Sequence, residues 1–210
     1  MDLADSDLSA LPDPLKILAR RGTLRRYRKG TLLIQEGDFS DTLFIVLSGR
    51  VKAFSIDDRD REITYGTYGP GEYLGEMSLD GGPRSASVIT LEATSCVVVP
   101  RATLRDHITA HPDFAFELIK RVIRRARLAT DSARNLALLD VYGRLIRVLN
   151  TLAEGEPRRI AARPTHQELA NRVGASREMI SKLMKDLQRG GYVENDGAGM
   201  LIVRPLPSSW

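Results

Sequence analysis

The sequence predicts an α+β chain: a β-rich first half of jelly-roll type, one long helix, and a compact, mostly helical C-terminal domain. Three observations carry this. Between Leu24 and Pro100, short β-branched and aromatic runs alternate with glycines and turn residues. After Pro112 the apolar pattern changes to a helical repeat. From Thr165 onward, capping and turn residues fall at the spacing of two short helices joined by a tight turn.

The elements follow in order. Residues 1–23 read as a loose start and a short amphipathic helix over Leu15–Arg20. The clearest strands are Leu43–Leu47, Val51–Ile56, Ile63–Tyr68, Ser87–Leu91 and Cys96–Val99, bounded by turns such as Asp57-Asp58. Many short strands at this spacing suit a jelly-roll-like barrel or sandwich. The next helix carries Ala115, Ile119, Val122, Ala126, Ala129, Ala133 and Leu136, a heptad seam. Such a seam suits a two-stranded coiled coil between two copies; the other reading is a core helix within one chain. A second set, Phe116, Leu118, Ile123 and Leu128, is expected to face the chain's own barrel. Arg121, Arg124, Arg125 and Arg127 are expected on a solvated face. A hinge at Asn135–Val141 leads into a helix over Val141–Leu152, then a loop at Glu154–Pro157.

Composition sets bounds. The 210 residues suffice for one generous domain or two small ones, and the net charge of +4 fits a nucleic-acid partner. A single cysteine, Cys96, excludes an intramolecular disulfide framework and a cysteine-ligated zinc or iron–sulfur site. No apolar run reaches membrane-spanning length, and the start, Met1–Asp7, is acidic and polar. A cytoplasmic protein with no metal is expected. The only histidines, His107, His111 and His166, lie outside the strand region, so a metal-dependent catalytic jelly roll, and with it an enzyme, is not expected.

The stretch Pro70–Val88 has the make-up of a pocket for a small phosphate ester. Gly75 lets the backbone turn closely, and Glu76–Leu79 forms one short helical turn whose N–H groups suit an anion. Gly81-Gly82-Pro83 reverses the chain and delivers Arg84, a planar fork suited to phosphate oxygens. Ser85 adds a hydroxyl, and Glu76 an acceptor suited to a ribose hydroxyl. The run Gly75-Glu76-x-x-Leu79…Arg84-Ser85-Ala86-x-Val88 resembles the phosphate-binding cassette of the cyclic-nucleotide-binding domain. Leu33–Gly49 carries that family's glycine spacing and apolar strand, departing at Ser40, where a smaller residue is usual. The resemblance implies that Glu76, Arg84 and Ser85 hold the ribose and cyclic phosphate, within a set that includes Gly75, Met77, Ser78 and Ala86.

In the C-terminal part, Thr165 and Glu168 form a capping box, Gly174 permits a left-handed turn, and Ser176 caps the next helix. Ala170, Gly174, Ile180 and Leu183 occupy the constrained positions of a helix-turn-helix, and Tyr192–Val203 reads as a hairpin wing. From Pro157 to Arg189 there are eight Lys or Arg against three Asp or Glu. Arg177, Glu178, Ser181, Lys182 and Lys185 share one side of the second helix, where arginine can read guanine and glutamate can accept from cytosine.

With both halves in hand, the chain resembles the Crp/Fnr transcription regulators over essentially its whole length, the strongest local match being Ser176-Arg177-Glu178-x-x-x-Lys182. The resemblance implies a cyclic-nucleotide-binding β-roll over residues 1–111, a dimerisation helix over 112–139 and a winged helix-turn-helix over 140–210. It implies base contacts from Arg177, Glu178 and Lys182 and phosphate contacts from Thr165, Gln167 and Ser176. Lys182 stands where the cyclic-AMP branch usually has arginine, and Ser181-Lys182 leans toward Fnr spacing, although Fnr cluster cysteines are missing. The implied effector is cyclic AMP, with cyclic GMP and cyclic di-GMP behind it. Two adjacent hydroxyl residues of the dimer helix touch the purine in the cyclic-AMP activators; here Thr130 keeps one and Ala129 has lost the other. The implied partners are palindromic DNA, a second copy and, for an activator, RNA polymerase. A ligand-independent regulator and a cyclic-nucleotide-binding regulatory subunit are the alternatives.

Overall fold

The computed structural model describes residues 8, 9, 11–197 and 199–207. The chain divides into two compact units: one runs up to Ser55 and resumes over Thr64–Ala126, the other comprises Ile56–Ile63 and the chain from Arg127.

The first unit begins with α1 (Asp13–Ala19), then strands β1 (Thr23–Tyr27), β2 (Leu32–Ile34), β3 (Thr42–Ser48), β4 (Val51–Ile56), β5 (Glu62–Tyr68) and β6 (Tyr73–Leu74). A one-turn 3-10 helix (Glu76–Asp80) precedes β7 (Ser87–Thr90) and β8 (Thr94–Pro100), and α2 (Arg101–Ala110) and α3 (Asp113–Leu138), whose part from Arg127 belongs to the other unit, follow. The strands form two four-stranded sheets, ordered β1-β8-β3-β6 and β2-β7-β4-β5. The pairings with a defined register, such as β3 with β8 and β4 with β7, are antiparallel.

Strand β3 shows why this part of the sequence is apolar without alternating. Leu43, Ile45 and Leu47 point into a cluster with Leu15, Leu18, Leu104, Phe114 and Leu118 of the helices. Phe44 and Val46 point the other way, into a cluster with Ile34, Val51, Ala53, Leu74, Val88 and Cys96. A strand covered on both faces has no polar side to show. Cys96 is fully buried, and burial pushes its thiol up to about 12, so it serves as core packing.

Helix α2 is an element the sequence reading left unassigned. Pro100 precedes it at the N-cap, and His107 on its inner face is fully buried, edge-on to Phe114 with ring centroids 4.9 Å apart. Neither imidazole nitrogen has a partner among the described residues. Burial, then His111 and Arg21, lowers its pKa and favours the neutral ring.

The second unit holds α4 (Val141–Leu152), β9 (Arg159–Ile160), α5 (His166–Val173), α6 (Arg177–Arg189), β10 (Val193–Asp196) and β11 (Gly199–Ile202). Asp140 caps α4 by accepting from Gly143 N at 2.7 Å. Leu145, Leu149, Leu169, Ile180 and Leu187, all fully buried, form the centre of its core. At roughly 1.5–3 kcal/mol per buried aliphatic side chain, these five anchor three helices. The strands order β10-β11-β9, with the wing hairpin in register from Val193↔Ile202 to Asp196↔Gly199. No described helix is long and apolar enough to cross a membrane.

Candidate functional site

The cassette is built around two glycines and one buried arginine. Gly75 sits in the left-handed region at φ 93°, and Gly81 closes the 3-10 turn at φ 95° by donating to Ser78 O. A Cβ on Gly75 would lie 2.5 Å from Arg84 Nη1 and 2.6 Å from Thr42 O, so the position requires glycine on grounds of both space and conformation. The returning chain is pinned to the upstream glycine segment: Arg84 N donates to Asp38 O at 2.8 Å, and Gly37 N to Arg84 O at 2.9 Å. The two sequence segments that carry the resemblance are therefore one structure.

Arg84 is 4% exposed. Its Nη1 donates to Gly75 O (3.0 Å) and Ser78 Oγ (2.8 Å); its Nη2 donates to Ser40 Oγ (3.0 Å), Thr42 O (2.8 Å) and Thr42 Oγ1 (3.0 Å). Burial lowers its pKa, with Asp41 and Glu76 opposing, and the group stays charged. The guanidinium thus ties three segments together, and its terminal N–H groups are engaged within the chain. Ser78 Oγ also donates toward Ser40 O and Gly75 O, so it belongs to the same knot. Ser85 is exposed, with its hydroxyl on Met77 S at 3.5 Å, and Ala86 is half-buried.

Glu76 differs. Its side chain is 1% exposed and paired through Oε1 with Arg125 Nη1. Oε2 is buried and has no partner among the described residues. A buried carboxylate oxygen without a donor is costly, and here it belongs to the cassette itself.

Helix α3 corrects two expectations. Phe114, Leu118, Arg121 and Arg125 make the stripe that meets the sheets, at i, i+4, i+7 and i+11, whereas Phe116, Ile123 and Leu128 are 63%, 45% and 65% exposed. The helix register fixed on Phe114 leaves those three on other faces. Arg121 and Arg125 are accordingly not on a solvated face: their side chains are 14% and 19% exposed. Arg121 pairs with Glu72 at 3.2 Å and stacks 4.2 Å from the Tyr73 ring centroid. Arg125 donates to Tyr73 O at 3.1 Å, beside its pair with Glu76. Extending the Phe114–Leu118 spacing by three and then four residues identifies both arginines from sequence. Arg124 and Arg127 are exposed as expected, and so are Ala129 and Thr130.

The second candidate surface is α6. Thr165 and Glu168 form both halves of the capping box, Gly174 is left-handed at φ 69°, and Ser176 Oγ accepts from Met179 N. Ala170 and Ile180 are buried and Leu183 half-buried against the same core. Arg177, Glu178, Lys182, Lys185 and Arg189 are exposed. Glu178 has its carboxyl pKa lowered by its own backbone N–H and the Ser176 hydroxyl, as a residue of the first helical turn should. Ser181 departs from the expected exposed side. It is half-buried, and its Oγ sits 2.7 Å from His166 Nδ1, which clasps α5 to α6. Burial, then Arg163 and Arg177, lowers the His166 pKa, so the ring is the neutral partner of that hydroxyl. Gln167 is exposed and donates to Asn171 Oδ1 at 2.7 Å.

Among the described residues no three His, Cys, Asp or Glu side chains gather as a metal site. Residues 24–111 match the model of the cyclic nucleotide-binding domain, and residues 143–206 that of the Crp-like helix-turn-helix domain. The CRP-like cAMP-activated global transcriptional regulator of Mycobacterium tuberculosis is 32% identical over 183 residues, covering 84% of this chain and 82% of that protein. The CRP-like protein Clp of Xanthomonas campestris is 32% identical over 190 residues, covering 85% and 83%. The solved structure of the c-di-GMP responsive global regulator CLP from Xanthomonas campestris superposes with a TM-score of 0.80 at 27% identity, over 90% of this chain and 98% of that one.

Proposed function

This chain belongs to the Crp/Fnr family of transcription regulators, and from that premise we propose that it is a homodimer whose binding to palindromic DNA is controlled by a cyclic nucleotide held in the Glu76–Ala86 cassette. The observation that carries the ligand half is Glu76 Oε2, a buried acceptor with no donor among the described residues. A ribose hydroxyl is a donor of the right kind, and a carboxylate that already has one cationic partner accepts it at low cost. The ligand set is Gly75, Glu76, Met77, Ser78, Arg84, Ser85 and Ala86.

The DNA half rests on the exposed charge of α6. Arg177, Glu178 and Lys182 would read base edges, while Thr165, Gln167, Ser176 and Lys185 meet phosphates; Ser181 contributes through its bond to His166. Dimerisation rests on the seam of α3, where Ile119, Val122 and Leu136 are 51%, 43% and 49% exposed and the alanines between them are exposed too. An apolar stripe left uncovered over such a length suits a second copy of the same helix. Domain limits of 1–111, 112–139 and 140–210 follow this division of labour. An activator of this design also meets RNA polymerase, and the working compartment is the cytoplasm.

Cyclic AMP is the first ligand, as for the cAMP-activated relative. A second reading, cyclic di-GMP, is favoured by the likeness to the c-di-GMP responsive CLP and by Ala129, which removes one hydroxyl from the base-binding end. Calorimetric titration of the full chain with cyclic AMP, cyclic GMP and cyclic di-GMP tests the reading. One of the three should bind, and Glu76→Gln should weaken it by about 1.5–3 kcal/mol, the worth of a hydrogen bond to a charged group. No binding by any of the three would leave a ligand-independent regulator.

A further inference from the structure

A guanidinium offers five N–H donors, four of them on its terminal nitrogens, and a phosphate takes a parallel pair of the five edge-on. In Arg84 all four are spent within the chain. Nη1 is held by Gly75 O and Ser78 Oγ, inside the turn, and Nη2 by Ser40 Oγ, Thr42 Oγ1 and Thr42 O, outside it. The two outer hydroxyls also touch each other, Ser40 Oγ lying 3.3 Å from Thr42 Oγ1. Ser40 is exposed and Thr42 half-buried, so these are neutral acceptors at the rim of the knot.

We propose that Ser40 and Thr42 set the affinity of the nucleotide site by holding Arg84 Nη2 in reserve, so that a cyclic phosphate gains that nitrogen only by taking it from the two hydroxyls. The proposal rests on the pocket reading given above. The exchange runs toward the ligand because a phosphate oxygen makes a charge-assisted bond, roughly twice as strong as a neutral one. Yet each hydroxyl bond that must be broken is subtracted from the binding free energy. Ser40, the one departure noted in the upstream segment, thereby acquires a role: a residue without a hydroxyl there would leave Nη2 with one acceptor fewer. The effect is a site that responds at a higher ligand concentration than its phosphate-binding groups alone would dictate.

The test uses the full chain, with cyclic AMP, cyclic GMP and cyclic di-GMP as probes. Ser40→Ala removes one acceptor with little risk to the fold; Ser40→Ala with Thr42→Val removes both hydroxyls and keeps the side-chain shape at Thr42. The bound nucleotide should bind the double variant about tenfold more tightly than the unaltered chain, with the single variant between them. The ligand-free melting temperature should fall in the same variants, since bonds of the resting state are lost. Equal affinity in all three proteins overturns the proposal while leaving the pocket reading in place. Affinity that falls together with melting temperature assigns the two hydroxyls a merely structural role and overturns it as well. If none of the three nucleotides binds any of the folded proteins, the pocket reading fails and takes the proposal with it.

Discussion

The nucleotide cassette and the recognition helix are both rich in arginine and glutamate, but they hold these residues in opposite ways. Around Arg84 the cation is buried and every terminal N–H is met by the chain itself. On α6 the cations stand exposed on a helix whose caps and core are complete without them. On the function proposed above, the difference separates a site that must rearrange to take its ligand from a surface that is ready for one. It also separates the consequences of mutation: in the first region binding and stability are entangled, and in the second they are independent.

The largest break in that contrast comes from Arg84→Leu. It removes the five hydrogen bonds by which the guanidinium ties Gly75 and Ser78 to Ser40 and Thr42, so a loss of about 3–5 kcal/mol in unfolding free energy is expected. A melting curve that matches the parent's would show that the knot carries no stability and that Arg84 serves only ligand.

Next in size is Ala126→Glu with Ala129→Glu. Neither side chain is in the core of its own chain, so each unit should keep its fold. A carboxylate placed in an apolar seam must be desolvated, at a cost of several kcal/mol per buried ion. Sedimentation should report monomers; an intact dimer would place the interface elsewhere.

On α6 the contrast can be sharpened. Arg177→Ala should cost about 1–3 kcal/mol on the preferred site and relax its sequence, with unfolding unchanged. Lys185→Ala should weaken all DNA alike and make the salt slope shallower by about one phosphate contact. A fall in melting temperature comparable to the loss of binding, for either variant, would erase the distinction between the two regions.

The smallest effect is that of pH. Both His107 and His166 have folded-state pKa values below their ordinary 6.5, chiefly because burial disfavours the charged ring. The unfolded chain therefore takes up protons first, and the stability due to the neutral rings, whole above about pH 6.5, is lost as pH falls toward the folded values. For His107, flanked by His111 and Arg21 and with no partner for either nitrogen among the described residues, His107→Leu should flatten the part of this slope that belongs to the first unit. An unchanged pH dependence of unfolding would assign the slope to other groups.

Much of the molecule was legible in its residues because local rules carry it. The span of α4, Val141–Leu152, agrees with its reading, as do the capping box at Thr165, the left-handed turn at Gly174 and the cap at Ser176. Each depends on backbone groups within four residues, which a sequence displays directly. The cassette was equally legible as a constellation, since Gly75, Glu76 and Arg84 announce a close turn, an acceptor and a fork. Strands β1, β2 and β6 escaped because short strands are made by the partners that pair with them, not by their own period.

What only tertiary structure decided is how charge is spent. Arg125 is held against Glu76 and Tyr73, while Arg124, one residue away, is exposed. Their fates follow from the rotation of α3 that burying Phe114 and Leu118 imposes. Likewise Arg84 meets Ser40 and Thr42 across more than forty residues of chain, through the pairing of Gly37 and Asp38 with its own backbone. A sequence names the donors and acceptors. Which of them find each other first, and which remain for a ligand, is settled by the packing that brings distant segments within hydrogen-bond reach.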